Sequence, residues 1–175
     1  MQTCKLNKST DMRVTPTCDL CDLHKADTSG QFRVLPPVFQ DYGGRQAFAG
    51  LVATVQCLDD TTSVKALVES AGQGRVLVVD GGASLRRALV GGNLAAAAAR
   101  NGWAGVIVNG CVRDKAELAG TDLGLRALAL MPLPTDRQQP GRTDLPVQIQ
   151  GVWLRPGDWL VADADGIVVL ATAPN

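Results

Sequence analysis

Hydrophobic positions divide the first half of the chain into short strands and amphipathic helices. Residues 47–58 carry apolar side chains with the spacing of a long strand. Residues 61–70 have an apolar stripe at helical spacing and predict a helix. Residues 75–79 form a short, continuously apolar segment typical of a buried strand, and the Asp-Gly-Gly at 80–82 predicts a turn after it.

The centre of the chain has the pattern strand, helix, strand. Residues 94–101 are rich in alanine and predict a helix with Asn93 as its N-cap, and residues 105–108 predict a second buried strand. Two parallel strands joined by a helix form a right-handed βαβ unit. A helical turn over 114–118 and an apolar segment over 125–130 follow.

The last forty residues change character. Residues 138–146 are polar and rich in turn formers, and the Asp-Gly pair at 165–166 lies between two apolar runs, which indicates a hairpin. The whole pattern therefore predicts an α/β fold with a βαβ core and a C-terminal antiparallel β region. Residues 1–14 have little apolar content and predict a flexible tail, so a single domain is expected over 15–175.

The N-terminal motif Cys18-x-x-Cys21-x-x-His24 allows two interpretations. A zinc site would need a fourth ligand, and Cys4 is the nearby candidate. The favoured alternative is a short amphipathic helix capped by Thr17, with an inward face formed by Leu20, Cys21 and Leu23. A lone C-x-x-C without a partner pair is a weak metal signal.

Composition and charge exclude several classes of function. The 175 residues include 17 Lys plus Arg and 17 Asp plus Glu, giving a formal net charge of zero. Without a basic cluster, nucleic-acid binding is disfavoured. The longest apolar run, residues 94–99, is far shorter than the roughly 20 residues of a spanning helix, and the first residues lack a leader pattern. We therefore expect a cytoplasmic protein with no membrane partner.

The chain contains a single histidine, His24. Ser-His-Asp and Cys-His machinery and multi-histidine zinc sites are excluded from the core, so Cys111 is expected to be a buried structural cysteine. Catalysis would have to use carboxylates, arginines, backbone amides or an oxygen-ligated metal.

Two segments at predicted strand ends carry the candidate chemistry. Gly91-Gly92-Asn93-Leu94 places backbone amides at the start of a helix, which favours binding of a carboxylate. Arg113 and Asp114 follow the next predicted strand, and ligands of open α/β sheets collect at such ends. Structural explanations stay open, since a tight loop accounts for the glycines. Asp114-Lys-Ala-Glu117 also fits a capping box. No Rossmann G-x-G-x-x-G or P-loop motif is present.

Longer stretches resemble the RraA-like family, which contains regulators of ribonuclease activity and 4-hydroxy-4-methyl-2-oxoglutarate aldolases. The similarity lies in residues 39–55, 74–82, 105–114 (Gly-Val-Ile-Val-Asn-Gly-Cys-Val-Arg-Asp) and 156–166. It implies a swivelling β/β/α-type fold, assembled as a homotrimer or a multiple of it.

The resemblance also implies a mechanism. In the aldolases, an acidic residue, a spacer of twenty residues and then Arg-Asp carry the chemistry; the Arg-Asp corresponds to Arg113 and Asp114, and the acidic position falls on Gly92. Asp114 would hold Mg²⁺ or Mn²⁺, Arg113 would neutralise a pyruvate enolate, and the amides of residues 91–94 would bind the 2-keto acid. A water would take the proton of the C4 hydroxyl. Oxaloacetate would lose CO₂ through the same enolate.

Two alternatives follow from the same resemblance. Regulators of this family bind and inhibit an RNA-degrading endonuclease without chemistry, and Gly92 in place of an acid favours that hypothesis, whereas Asp114 favours the lyase. A catalytically silent trimer that binds metal and keto acid is the third interpretation.

Overall fold

The computed structural model describes residues 14–174. Its four helices are α1 (Thr17–His24), α2 (Thr62–Val68), α3 (Gly92–Arg100) and α4 (Lys115–Ala119). Its strands are β1 (Phe32–Val34), β2 (Gln40–Asp41), β3 (Phe48–Gln56), β4 (Val76–Val90), β5 (Gly105–Val112), β6 (Gly124–Leu130), β7 (Arg142–Thr143), β8 (Val147–Ile149), β9 (Val152–Leu154), β10 (Trp159–Ala162) and β11 (Ile167–Leu170).

One large mixed sheet organises the molecule. Its strand order is β1-β11-β10-β3-β4-β5-β6-β2, with β7 paired to β3, and β8 and β9 form a separate hairpin. Strands β3, β4, β5 and β6 are parallel to one another, and the outer strands are antiparallel. The predicted α/β class is confirmed, and the C-terminal hairpin β10–β11 extends the same sheet through the β10–β3 pairing.

The predicted turn at 80–82 is wrong, because β4 continues to Val90. Asp80 Oδ1 accepts hydrogen bonds from the Gly82 N–H at 3.0 Å and from Asn109 Nδ2 at 3.1 Å. These bonds accommodate a local bulge, and Gly82 has a φ of 64°. The β4–β5 pairing resumes with register shifts as far as Val90 opposite Val112. The strand therefore carries the chain to the edge where α3 begins.

Apolar side chains cover both faces of the sheet. One cluster packs helices α2, α3 and α4 against the sheet and includes Val64, Leu77, Ala98, Trp103 and Leu118, all buried. A second cluster lies between the other face and the β8–β9 hairpin and includes Phe48, Val78 and Ile107. The two central parallel strands are buried on both sides where their sequences are continuously apolar, as predicted for residues 75–79 and 105–108.

The short N-terminal helix is present, with two corrections. Pro16, not Thr17, occupies the N-cap position, and the Thr17 hydroxyl donates to Asp163 Oδ1 at 2.7 Å. Leu20 is buried but Leu23 is 75% exposed, so the predicted inward face is narrower than expected, because α1 packs on only the edge of the sheet.

The predicted tail, except Val14, and Cys4 lie outside the described residues. Residues 14–174 contain no cluster of three or more His, Cys, Asp or Glu side chains placed to bind a metal. No helix in the described part of the chain is long and apolar enough to cross a membrane.

Candidate functional site

The candidate residues meet at the carboxyl ends of two neighbouring parallel strands. Strand β4 ends at Val90 and β5 ends at Val112, and these two residues are opposite each other in the sheet. The Arg113 N–H donates to the Val90 carbonyl at 3.0 Å, which holds the segment after β5 against the start of α3. The predicted convergence of residues 91–94 with Arg113 and Asp114 is therefore present.

Helix α3 begins two residues earlier than predicted. Gly91 occupies the N-cap in extended conformation, so Asn93 lies inside the first turn and is not the cap. The reason is a tertiary contact: the Gly92 N–H donates to Asp114 Oδ2 at 3.0 Å. A carboxylate from a neighbouring loop thus satisfies an N–H that has no partner within the helix.

The remaining amides of this first turn are placed for a ligand. The first helical hydrogen bond runs from the Ala95 N–H to the Gly91 carbonyl at 3.0 Å. The N–H groups of Asn93 and Leu94 precede it and therefore have no acceptor within α3. They are the amides of this loop that could bind a substrate carboxylate, since the Gly92 N–H is used by Asp114.

The capping-box interpretation of Asp114 is wrong. Asp114 does take the N-cap position of α4, but its side chain makes no capping hydrogen bond there. Its backbone is left-handed, with a φ of 65°, a conformation that Asp adopts more readily than most residues. The carboxylate lies instead against Gly92, with Arg113 Nε 3.6 Å from Asp114 Oδ2. The two side chains are 40% and 37% exposed, so both are open to a ligand.

Glu117 is a candidate site residue that sequence reasoning missed. A Cβ added to Gly92 would overlap the Glu117 carboxylate and would lie 2.8 Å from its Cδ. The Glu117 side chain thus fills the volume that a side chain at position 92 would occupy. The sequence signal for it is the spacing Asp114-x-x-Glu117, which as a capping box predicts only the start of a helix.

Asp114 and Glu117 together form a donor set suited to a hard divalent cation. Both carboxylates lie against Gly92, from two positions three residues apart. Mg²⁺ is commonly bound by one or two carboxylates while keeping several waters, so two oxygen donors beside solvent fit its requirements.

A crevice of about 410 Å³ opens beside this site. Its volume lies within the range of small-molecule pockets, roughly 300–1,000 Å³. Five of the six predicted site residues line it, namely Gly91, Asn93, Leu94, Arg113 and Asp114, whereas Gly92 is buried. Further lining residues come from α2, from the end of α3 and from the segment after β6, and they include Lys65, Arg100 and Arg137.

Cys111 takes no part in the crevice. It is 1% exposed within β5, and burial raises the pKa of its thiol. A buried thiol with a raised pKa is a poor nucleophile, which agrees with the structural role expected from the sequence.

The chain is similar in sequence to a known protein family and to named relatives. The RraA-like family, described as Aldolase/RraA, matches residues 17–169. A protein of Albidiferax ferrireducens named "Putative 4-hydroxy-4-methyl-2-oxoglutarate aldolase" is 65% identical over 163 residues, covering 89% of this chain and 94% of its own. A protein of the same name from Burkholderia multivorans is 52% identical over 158 residues, covering 90% of this chain and 96% of its own.

A solved structure shares the fold closely. The RNA-processing inhibitor RraA from Thermus thermophilis superposes with a TM-score of 0.86 at 44% sequence identity. The similarity covers 92% of this chain and 95% of that one.

Proposed function

Because this chain belongs to the RraA-like family, we propose that it is a divalent-cation-dependent lyase acting on 2-oxo acids. Its proposed reactions are cleavage of 4-hydroxy-4-methyl-2-oxoglutarate to pyruvate and decarboxylation of oxaloacetate. The observation that carries the proposal is the pair of carboxylates, Asp114 and Glu117, against Gly92 and beside Arg113. The names of the Albidiferax and Burkholderia relatives support it.

The chain's own groups account for binding of the 2-oxo acid. The substrate carboxylate would accept hydrogen bonds from the Asn93 and Leu94 amides at the positive end of α3. Arg113 lies next to Asp114, lines the same crevice and would face the 2-oxo oxygen. Its fixed positive charge would stabilise the negative charge that develops on that oxygen as the C3–C4 bond of the substrate breaks.

Asp114 and Glu117 would hold Mg²⁺ or Mn²⁺ beside the bound 2-oxo acid, and the cation would supply Lewis-acid chemistry there. In this arrangement Glu117 provides the carboxylate that the aldolase pattern places at position 92. Gly92 is then compatible with activity, because its missing side chain leaves room for Glu117.

The first test is pyruvate release by the purified protein from oxaloacetate and from 4-hydroxy-4-methyl-2-oxoglutarate. We expect turnover with Mg²⁺, loss of turnover in EDTA, and recovery when Mg²⁺ is restored. Asp114→Ala should abolish turnover, whereas the control Asp122→Ala, at an exposed carboxylate paired with Arg45, should leave it unchanged. A folded protein that turns over neither substrate would refute the lyase proposal.

A regulator of an RNA-degrading endonuclease is the second candidate function. The 44% identity and TM-score of 0.86 to the RNA-processing inhibitor RraA favour it. Adding the purified chain to an endonuclease of this type and following RNA cleavage tests it directly. Inhibition that survives Asp114→Ala would establish a regulatory activity independent of the lyase site. A protein that binds Mg²⁺ and 2-oxo acid but neither turns over nor inhibits would be the silent trimer.

We also propose the homotrimer, or a multiple of it, that the family resemblance implies. Three exposed apolar side chains would be available to a second copy: Leu58, Leu85 and Leu133, at 63%, 54% and 49% exposure. Light scattering on the eluting protein should give a mass of three chains or a multiple of three, and a monomer would contradict this proposal.

A further inference from the structure

The crevice extends well beyond the site of Arg113 and Asp114 and is positively charged. The residues that line it include four cationic side chains, Lys65, Arg100, Arg113 and Arg137, and two carboxylates, Glu69 and Asp114. The chain as a whole has a formal net charge of zero. The excess of positive charge is therefore local, and it indicates an anionic ligand.

Three of these cations reach the crevice from separate elements. Lys65 lies on α2, Arg100 is the last residue of α3, and Arg137 lies on the segment after β6. Lys65 Nζ is 3.5 Å from Glu69 Oε1. Within residues 14–174, Arg100 and Arg137 make no ion pair.

The segment that carries Arg137 is fixed to α2 by Asp60. Asp60 Oδ2 accepts hydrogen bonds from the Gln138 and Gln139 N–H groups at 2.7 and 3.0 Å, and Asp60 Oδ1 accepts one from the Thr62 N–H at 2.7 Å. The contact holds the two cations Lys65 and Arg137 on neighbouring walls of one crevice.

The spacing along α3 matches a short diacid. Asn93, Ala97 and Arg100 line the crevice at helical spacing, and seven residues correspond to about 10 Å along the axis. In a five-carbon diacid the two carboxylate carbons are about 5 Å apart, since each bond is about 1.5 Å long, and a hydrogen bond of about 3 Å at either end extends the span between its partners to about 11 Å.

We propose that Lys65, Arg100 and Arg137 bind a second, distal carboxylate of the substrate, so that the crevice selects 2-oxo dicarboxylates over 2-oxo monocarboxylates. The inference rests on the proposed function, because it assumes that the 2-oxo end of the substrate lies at Arg113 and the α3 amides. It assigns specificity to three residues outside the Arg-Asp pair.

The test uses a matched pair of acids that the lyase reaction leaves intact. 2-Oxoglutarate has a distal carboxylate, 2-oxopentanoate has a methyl group in its place, and neither carries the 4-hydroxyl needed for cleavage. Titration calorimetry with Mg²⁺ should show 2-oxoglutarate binding about 10- to 100-fold more tightly, the factor expected for hydrogen bonds to a charged group. Equal affinity for the two acids would overturn the proposal.

Charge-removing variants locate the effect. Arg100→Gln and a Lys65→Gln/Arg137→Gln double variant should each weaken 2-oxoglutarate binding at least 5-fold and leave 2-oxopentanoate binding unchanged. Arg155→Gln, at an exposed arginine outside the crevice, is the control and should change neither. A preference for the diacid that persists when all three cations are removed would also overturn the proposal.

This experiment separates the two proposals. A preference for 2-oxoglutarate in a protein without turnover would keep the distal carboxylate site and refute the lyase. Turnover of 4-hydroxy-4-methyl-2-oxoglutarate without any preference between the two acids would keep the lyase and refute the distal site.

Discussion

The exchange of a carboxylate between positions 92 and 117 gives the sharpest test of the site. Gly92→Asp introduces a Cβ 2.8 Å from Glu117 Cδ and 2.9 Å from Glu117 Cβ, so the Glu117 side chain must move. Overpacking of this kind costs about 1–3 kcal/mol, and a negative charge in the first turn of α3 returns only about 0.3–1 kcal/mol. We expect Gly92→Asp to lower the free energy of unfolding by about 1–2 kcal/mol.

Removing Glu117 should reverse that loss. Glu117 is exposed, so Glu117→Ala by itself should change the free energy of unfolding by less than about 0.5 kcal/mol. The double variant Gly92→Asp/Glu117→Ala no longer has the overlap with the Glu117 carboxylate and keeps only the 2.9 Å approach to the Cβ at position 117, so it should recover most of that loss. The coupling between the two positions is then about 1 kcal/mol, measurable by urea unfolding of the four proteins.

Activity should require a carboxylate at position 92 or at position 117, whichever of the two carries it. Glu117→Ala should lower Mg²⁺-dependent pyruvate release from oxaloacetate by about 10- to 100-fold, the scale on which loss of one group at a metal site acts. Gly92→Asp/Glu117→Ala should recover most of it. The matched control Gly92→Ala/Glu117→Ala fills the space without a charge and should recover none. Full activity in Glu117→Ala, or equal recovery in the control, would refute the reasoning.

Three further predictions concern Asp114, Asp60 and the cysteines. Asp114→Asn keeps an acceptor for the Gly92 N–H and tolerates the left-handed backbone, so its free energy of unfolding should stay within about 1 kcal/mol of wild type. Because the variant lacks the negative charge, it should lose Mg²⁺-dependent turnover. An active variant would contradict a role of the charge. Burial raises the pKa of Asp60, but the hydrogen bonds that its carboxylate accepts from backbone N–H groups have the larger effect and hold the pKa below its ordinary value. The stabilisation by the Asp60 carboxylate is therefore fully present above about pH 4, where the unfolded chain is also ionised, and is lost as the pH falls through the lower pKa of the folded state. Asp60→Asn should make the free energy of unfolding, measured in urea, fall less steeply between pH 4 and pH 2. An unchanged slope would contradict this assignment. Burial raises the pKa of Cys57 to about 12 and also raises that of Cys111. The charge of Asp165 raises the pKa of Cys18 too, but its thiol is exposed. Iodoacetamide at pH 8 should therefore label Cys18 in the folded protein and the two buried thiols only after unfolding, and mass spectrometry of labelled peptides would reveal any earlier reaction of the buried thiols.

Local patterns in the sequence were sufficient for the βαβ core. Uninterrupted apolar strands at 75–79 and 105–108 and the alanine-rich run between them specify buried parallel strands and a helix from their own periodicity. The pairing of β4 with β5 then places residues 91–94 next to Arg113. For that reason the sequence alone predicts that the Arg-Asp pair and the glycine loop are neighbours.

Boundaries and caps depended on contacts that are distant in sequence. Asn93 has the composition of an N-cap, yet α3 begins at Gly92 because the Asp114 carboxylate binds that amide from 22 residues away. Likewise, the turn expected at residues 80–82 is absorbed into β4, because Asn109 of the neighbouring strand donates to Asp80. Periodicity within a segment carries no information about such partners.

Local sequence patterns are therefore enough to predict the α/β class, the βαβ core and the Arg-Asp pair at a strand end. They also exclude a catalytic or metal-binding histidine from the core. Only the tertiary structure placed Glu117 in the space left by Gly92, and only it brought Lys65, Arg100 and Arg137 to one crevice. The physical reason is that strand and helix formation follow from local side-chain spacing, whereas a site is made by side chains from segments that meet through sheet pairing and helix packing.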